Sequence, residues 1–204
     1  MQTPIKAIIF DFGGVLLNWD PRNLYQRYFP DQPQAIENFL AQIDFFAWNA
    51  HQDKGRTFAK GNAELIAQFP QHADLIQAYF ENYEESITGV IAGTVDILQT
   101  LKDKRYPLFG LSNWSAETFP RARHVYPFFD WFDDITLSGD VELVKPDPAI
   151  FNLLLNKIGY SAPDCLLIDD SKPNVDAAKK LGFATVHFTS PKNLQTELQR
   201  LKLL

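Results

Sequence analysis

The chain has 204 residues, 46% hydrophobic and 22% charged, with a formal net charge of −6. That balance excludes a disordered or fibrous protein and argues against a broad nucleic-acid surface, which needs clustered Lys and Arg. A single cysteine, Cys165, excludes an intrachain disulfide framework, and no run approaches the roughly 18 to 20 apolar residues of a membrane span.

The first predicted element is a strand over 5–10, which stops at Asp11 and runs on through Gly13 and Gly14. Its apolar run is too short for the core of a signal peptide, so a cytoplasmic protein is expected. From about 16 to 93 the spacing of apolar residues predicts helices and no strand, at 22–28, 33–44, 58–69 and 73–85. The stretch WNAHQDKGRTF, from Trp48 to Phe58, reads as a polar loop. Further strands follow at 107–111, 135–137, 165–168 and 184–188, each nearly continuous in apolar residues, as in a parallel sheet covered on both faces. Helices alternate with them. In KPDPAIFNLLLNKIG, Asp147 suits an N-cap, Pro148 the first helical position and Gly159 the stop. The fold class is therefore α/β, a doubly wound, mainly parallel sheet. Residues 1–15 and 94–204 are expected to form its core, and 16–93 an inserted, all-helical cap. The insert leaves from the C-terminal end of the first strand, where open α/β sheets place ligands, so a lid over the site is expected.

The strand ends carry the chemistry. The first ends in Asp11, the second in Ser112 and Asn113, the fourth in Asp169 and Asp170, and Lys145 precedes the helix after the third. Parallel strands place these groups on one edge. Carboxylates crowded there repel one another unless cations sit among them. Lys145 is one cation, and hard oxygen donors without His or Cys suggest Mg²⁺ as the other. An ionised Asp11 in that setting can attack phosphorus. Ser112, Asn113 and backbone N–H groups near Gly13 and Gly14 would hold the phosphoryl oxygens. Trp19, Trp48 and Trp114 flank these segments or fall in the insert, and are candidates to wall a pocket. Cys165 sits in an apolar run and is expected to be a buried, inert thiol.

In this order the residues resemble the four motifs of the haloacid dehalogenase-like (HAD) hydrolase superfamily. DFGGV resembles the first, with Asp11 as nucleophile, and LSN the second, with Ser112 as the phosphate-binding hydroxyl. KPDPAIF resembles the third, with Lys145, and IDDSKPN the fourth, with Asp169 and Asp170 as the acidic pair. The insert resembles the helical cap of the subfamily that holds haloacid dehalogenases and many small phosphatases. The resemblance spans the whole chain. It implies a Rossmann-like core and a Mg²⁺-dependent phosphatase working through an aspartyl-phosphate on Asp11. The metal would be held by Asp11, the Gly13 carbonyl and Asp170, with Asp169 adjacent or bound through water. The substrate would be a small phosphorylated molecule. No nucleic-acid or membrane partner is implied, and the oligomeric state is open between monomer and homodimer.

Gly13 departs from the family pattern. The residue two after the nucleophile is usually a second Asp, which protonates the leaving oxygen and then activates water. Gly13 keeps a carbonyl and loses the acid. The insert offers His51, Asp53 and Arg56 in its place, with Asp53, Arg56 and Trp48 also expected to touch substrate, and Asp20 is a further candidate acid. Two alternatives stand beside the phosphatase. One is a C–halogen hydrolase using Asp11 without metal, which the acidic pair speaks against. The other is a weakly catalytic binding or regulatory protein, which the intact set Asp11, Ser112, Lys145 and acidic pair speaks against.

Overall fold

The computed structural model describes residues 4–204. The chain opens with β1 (Ala7–Phe10), whose four residues are all buried. The segment after it holds β2 (Leu17–Trp19), α1 (Pro21–Tyr25), α2 (Pro33–Gln42), α3 (Phe45–Asp53), α4 (Phe58–Gln68), α5 (Ala73–Glu81) and β3 (Ile87–Val90). A short 3-10 turn at Tyr83–Ser86 leads into β3. Then come α6 (Ala92–Asp103), β4 (Leu108–Ser112), α7 (Phe119–Val125), β5 (Asp134–Leu137) and α8 (Ser138–Val141). The last elements are α9 (Pro148–Ile158), β6 (Cys165–Asp169), α10 (Lys172–Lys180), β7 (Ala184–His187) and α11 (Pro191–Arg200).

Five strands form one sheet in the order β5-β4-β1-β6-β7, every neighbouring pair parallel. All five predicted strands appear in it. Alternate residues of β1 face opposite sides: Ile8 and Phe10 join one apolar cluster, Ala7 and Ile9 the other. This is the physical content of a continuous apolar run, since both faces of the strand are covered. The chain winds from β1 to β4 and β5 on one side and to β6 and β7 on the other. The C-terminal end of β1 is therefore a topological switch point, where the connections diverge and leave a crevice. Phe12, the residue after Asp11, packs edge-on in the core against Phe129 and Phe132 at centroid distances of 4.9 and 5.4 Å. Its ring occupies the space a Cβ on Gly110 would need, 2.3 Å from that position.

The segment 16–93 departs from expectation in two ways. It is not all helical: β2 pairs antiparallel with β3, Leu17 opposite Val90 and Trp19 opposite Ile87. Strands of three and four residues carry too little alternation to register in sequence, and their pairing joins the two ends of the segment. The second difference is α3, which covers most of the stretch predicted as a loop. Its buried residues are Phe45, Trp48, Asn49 and Gln52, at i, i+3, i+4 and i+7. That is helical spacing with two amides in the buried face, so no apolar stripe announces it. Gln52 is satisfied internally, donating to the Trp48 carbonyl at 2.7 Å and accepting from Arg56 Nε at 2.6 Å.

Candidate active site

Asp11 stands one residue beyond β1, 8% exposed. Its Oδ1 accepts from the Phe12 N–H at 2.7 Å and from Ser112 Oγ at 2.9 Å. Its Oδ2 lies 2.9 Å from Lys145 Nζ. Lys145 is buried, and its ammonium also donates to Asp169 Oδ2 at 2.6 Å and to the Leu111 carbonyl at 2.8 Å. An ammonium has three protons, and all three are thus directed. Asn113 aims the lysine from behind, donating to the Lys145 carbonyl at 2.9 Å and accepting its N–H at 2.8 Å. The Asn113 side chain, expected to meet phosphate, is thus engaged by the Lys145 backbone instead.

Asp169 is fully buried at the end of β6. Besides Lys145 it accepts from the Ser171 N–H at 2.8 Å and from Asn174 Nδ2, 3.1 Å from both oxygens. Asp170 is exposed and lines the pocket. Ligand atoms of Asp11, Asp169 and Asp170 all lie within 4.8 Å of one another. Three carboxylates with one ammonium leave an excess of negative charge. Burial pushes the Asp11 carboxyl up, Lys145 opposes this, and the charges of Asp169 and Asp170 add to it. Asp170 is pushed up by enclosure and by Asp169. Burial alone would lower the Lys145 ammonium, but Asp11 and Asp169 hold it above its ordinary value. An oxygen-only donor set with uncompensated negative charge fits a hard dication such as Mg²⁺.

The two glycines differ. A Cβ on Gly13 would meet nothing within 4 Å, and its φ lies outside the left-handed range. Gly14 has φ +73, and a Cβ there would fall 2.2 Å from Asp170 Oδ2. Gly14 is what lets the loop pass beside the acidic pair. Gly14→Ala is expected to lose about 1–2 kcal/mol from the left-handed backbone alone and to weaken Mg²⁺ binding by displacing Asp170. Thermal melts with a calorimetric Mg²⁺ titration check both.

Asp11, Ser112, Lys145, Asp170 and Asn174 line a pocket of about 370 Å³ with Gly13, Gly14, Trp19, Asn49, Asp53, Tyr83, Asn113 and Trp114. The volume suits a small ligand. A larger cavity of about 480 Å³ between α1 and α2 lies apart from this cluster. Its Arg22 and Glu37 pair with each other at 2.5 Å, and Asp31 is the other charged residue on its wall.

The structure brings Asp11, Gly13, Gly14, Asp53, Ser112, Asn113, Trp114, Lys145 and Asp170 together, with Asp169 behind them. It turns Trp48 and Arg56 away. Trp48 is packed between Phe45, Phe58 and Tyr79, and its indole N–H donates to the Gly61 carbonyl at 3.0 Å. The Arg56 guanidinium is held by Gln52, Glu64 at 2.8 Å and the Trp48 carbonyl at 3.1 Å. Asp20 caps α1 through the Arg22 N–H at 2.9 Å, and His51 is exposed outside the pocket. Tyr83 and Asn49 were not anticipated; nothing in their sequence neighbourhood marks them. Burial pushes the Cys165 thiol up to about 12, so it stays protonated.

A family profile for haloacid dehalogenase-like hydrolases matches residues 5–182. The sesquiterpene phosphatase astK of Aspergillus oryzae is 28% identical over 98% of both chains. The drimenol cyclase drtB of Aspergillus calidoustus is 27% identical over 97% of this chain, which spans 36% of that protein. A HAD-family enzyme of Bacteroides thetaiotaomicron, solved in complex with magnesium and inorganic phosphate, superimposes with a TM-score of 0.72. It is 25% identical over 91% of this chain and 95% of its own. With the profile running through all four strand-end motifs, this chain belongs to the haloacid dehalogenase-like hydrolases.

Proposed function

We propose that this protein is a Mg²⁺-dependent phosphatase of small phosphorylated metabolites, with Asp11 as the nucleophile. The observation that carries this is the convergence of Asp11, Asp169 and Asp170 around a single ammonium. A phosphatase among the relatives and a magnesium–phosphate complex among the structural neighbours support it. C–halogen hydrolysis needs no such acidic cluster. On this view residues 16–93 act as a cap over the core formed by 1–15 and 94–204.

The roles follow from the contacts. Asp11 is oriented by the Phe12 amide, Ser112 and Lys145, so that its carboxylate faces the pocket and not its neighbours. Asp170 and the Gly13 carbonyl complete an oxygen set with Asp11 for the metal, and Asp169 orients Lys145. Bound Mg²⁺ supplies charge neutralisation for a phosphoryl group. Ser112 and the backbone at Gly13 are placed to meet the phosphoryl oxygens, while the three Lys145 protons hold Asp11, Asp169 and the Leu111 carbonyl and the Gly14 N–H is taken by the Leu17 carbonyl at 2.9 Å. Trp19, Tyr83 and Trp114 give the pocket an aromatic wall, which favours a leaving group with an apolar face. The net charge of −6 disfavours a broad phosphate-backbone surface. Among the described residues no helix is long and apolar enough to cross a membrane.

A panel of sugar, isoprenyl and aryl phosphates, together with a 2-haloacid, tests this. Phosphate release that needs Mg²⁺ and stops with EDTA is expected. Halide release without metal, and none of phosphate, would replace the proposal with a dehalogenase.

A further inference from the structure

Gly13 leaves the site without a side-chain acid beside Asp11. The pocket wall contributed by the inserted segment holds a different carboxyl, Asp53, the last residue of α3. Its position is fixed. Asn49, one turn earlier, donates to Asp53 Oδ2 at 3.0 Å. The Asp53 carbonyl accepts from Ser138 Oγ, and that hydroxyl accepts the Trp114 N–H at 2.9 Å. Close by, Glu117 accepts the Phe58 N–H at 2.6 Å. The end of α3 is thus tied to the loop that follows Ser112, and Asp53 is held in register with the phosphate-binding hydroxyl.

We propose that Asp53 is the general acid and base of the reaction, supplying from the insert the carboxyl that Gly13 lacks. This rests on the phosphatase assignment above. In the first step an Asp11 oxygen bonds to phosphorus and the ester P–O bond breaks. The electron pair leaves on the ester oxygen, which takes the proton of Asp53. In the second step water attacks phosphorus, its proton passes to the Asp53 carboxylate, and the bond to Asp11 breaks with the pair returning to the carboxylate. Ester and water become alcohol and phosphate, and both aspartates return to their starting states.

The electrostatics suit an acid that is protonated near neutrality. Asp53 keeps partial access to the pocket, yet enclosure pushes its carboxyl up to about 8, against the Ser115 amide, and the Asp11 charge adds to the rise. Tyr79 and Tyr83 face it from α5 and the following turn, both held protonated by burial. Lys145 lines the same pocket but is committed to Asp11 and Asp169. The C-terminal end of a helix also disfavours a negative charge. The other candidate acids lack this placement: His51 points to solvent and Asp20 caps a helix.

The test compares p-nitrophenyl phosphate, whose leaving group needs no proton, with an alkyl phosphate, in saturating Mg²⁺. Asp53→Asn is expected to slow the alkyl ester about 10²–10⁴-fold, the usual worth of a positioned acid, and the aryl ester far less. Adding Gly13→Asp should restore alkyl turnover, since that position has space and an ordinary backbone. In the wild-type protein the alkyl-to-aryl rate ratio should fall as pH rises and the raised Asp53 carboxyl loses its proton. This arm needs no variant, so it decides the matter even if Asp53→Asn does not fold. Equal losses on the two esters, or a ratio unchanged with pH, would overturn the assignment. No turnover of either ester by the wild type would remove the phosphatase proposal and the Asp53 role with it.

Discussion

Lys145→Met is expected to lower the unfolding free energy by about 3–5 kcal/mol near neutral pH in metal-free buffer, because breaking a buried ion pair strands its partners. Lys145 and Asp169 have side chains with no solvent exposure, and Asp11 has 11%. Methionine fills the volume and returns none of the three hydrogen bonds. Two carboxylates that shared one ammonium are then left facing each other, with Asp170 nearby. Their remedy is to bind a proton. The native variant then holds more protons than its unfolded chain, so its stability rises as pH falls. The deficit against wild type should therefore shrink between about pH 7.5 and pH 5, the opposite of general acid lability. Urea unfolding at both values measures it. A double variant with Asp169→Asn should recover part of the loss, because the two sites share one interaction. A deficit under about 1 kcal/mol near neutrality would mean that the cluster is wetter than its burial indicates, and that Lys145 is no structural keystone.

The sheet was readable because its strands are nearly continuous apolar runs, three of which end in a residue with no business in a core. Asp11, Ser112 and Asp169 stand out for that reason, and parallel topology brings their strand ends to one edge. Lys145 was readable from its place in KPDP, but its triple engagement was not, since the Leu111 carbonyl it bonds lies 34 residues away. The inserted segment was far less legible. The buried face of α3 contains Asn49 and Gln52, and a helix that buries amides leaves no hydrophobic signature. Trp48 and Trp19 looked equivalent in sequence. Only geometry shows that Trp48 packs inside the segment while Trp19 turns to the pocket. The same limit applies to the paired glycines: the string GG does not say which one the backbone requires. Gly14 meets that need with its positive φ and its closeness to Asp170, and this leaves Gly13 open to substitution.

Asp11→Asn should reduce phosphate release by at least about 10³-fold, because removing a nucleophile leaves only binding and electrostatic positioning. The substitution is nearly isosteric. An amide oxygen can still accept from the Phe12 N–H and Ser112, so the loop beyond β1 has no cause to move. What disappears is the negative oxygen that would bond to phosphorus. One charge also leaves a cluster that carries an excess of them, which favours the fold, while Lys145 loses a partner, which opposes it. These effects have opposite sign, so the metal-free melting temperature should stay close to wild type, in contrast to Lys145→Met. The metal response separates the two further. Mg²⁺ binds only the native state and stabilises it by RT ln(1 + [Mg²⁺]/Kd). With one ligand oxygen replaced by an amide, the rise in melting temperature on adding Mg²⁺ should be smaller in Asp11→Asn than in wild type. Activity above a few per cent of wild type, with an unchanged Mg²⁺ response, would show that Asp11 neither attacks phosphorus nor holds the metal. The acidic pair at the end of β6 would then be the first place to look for both.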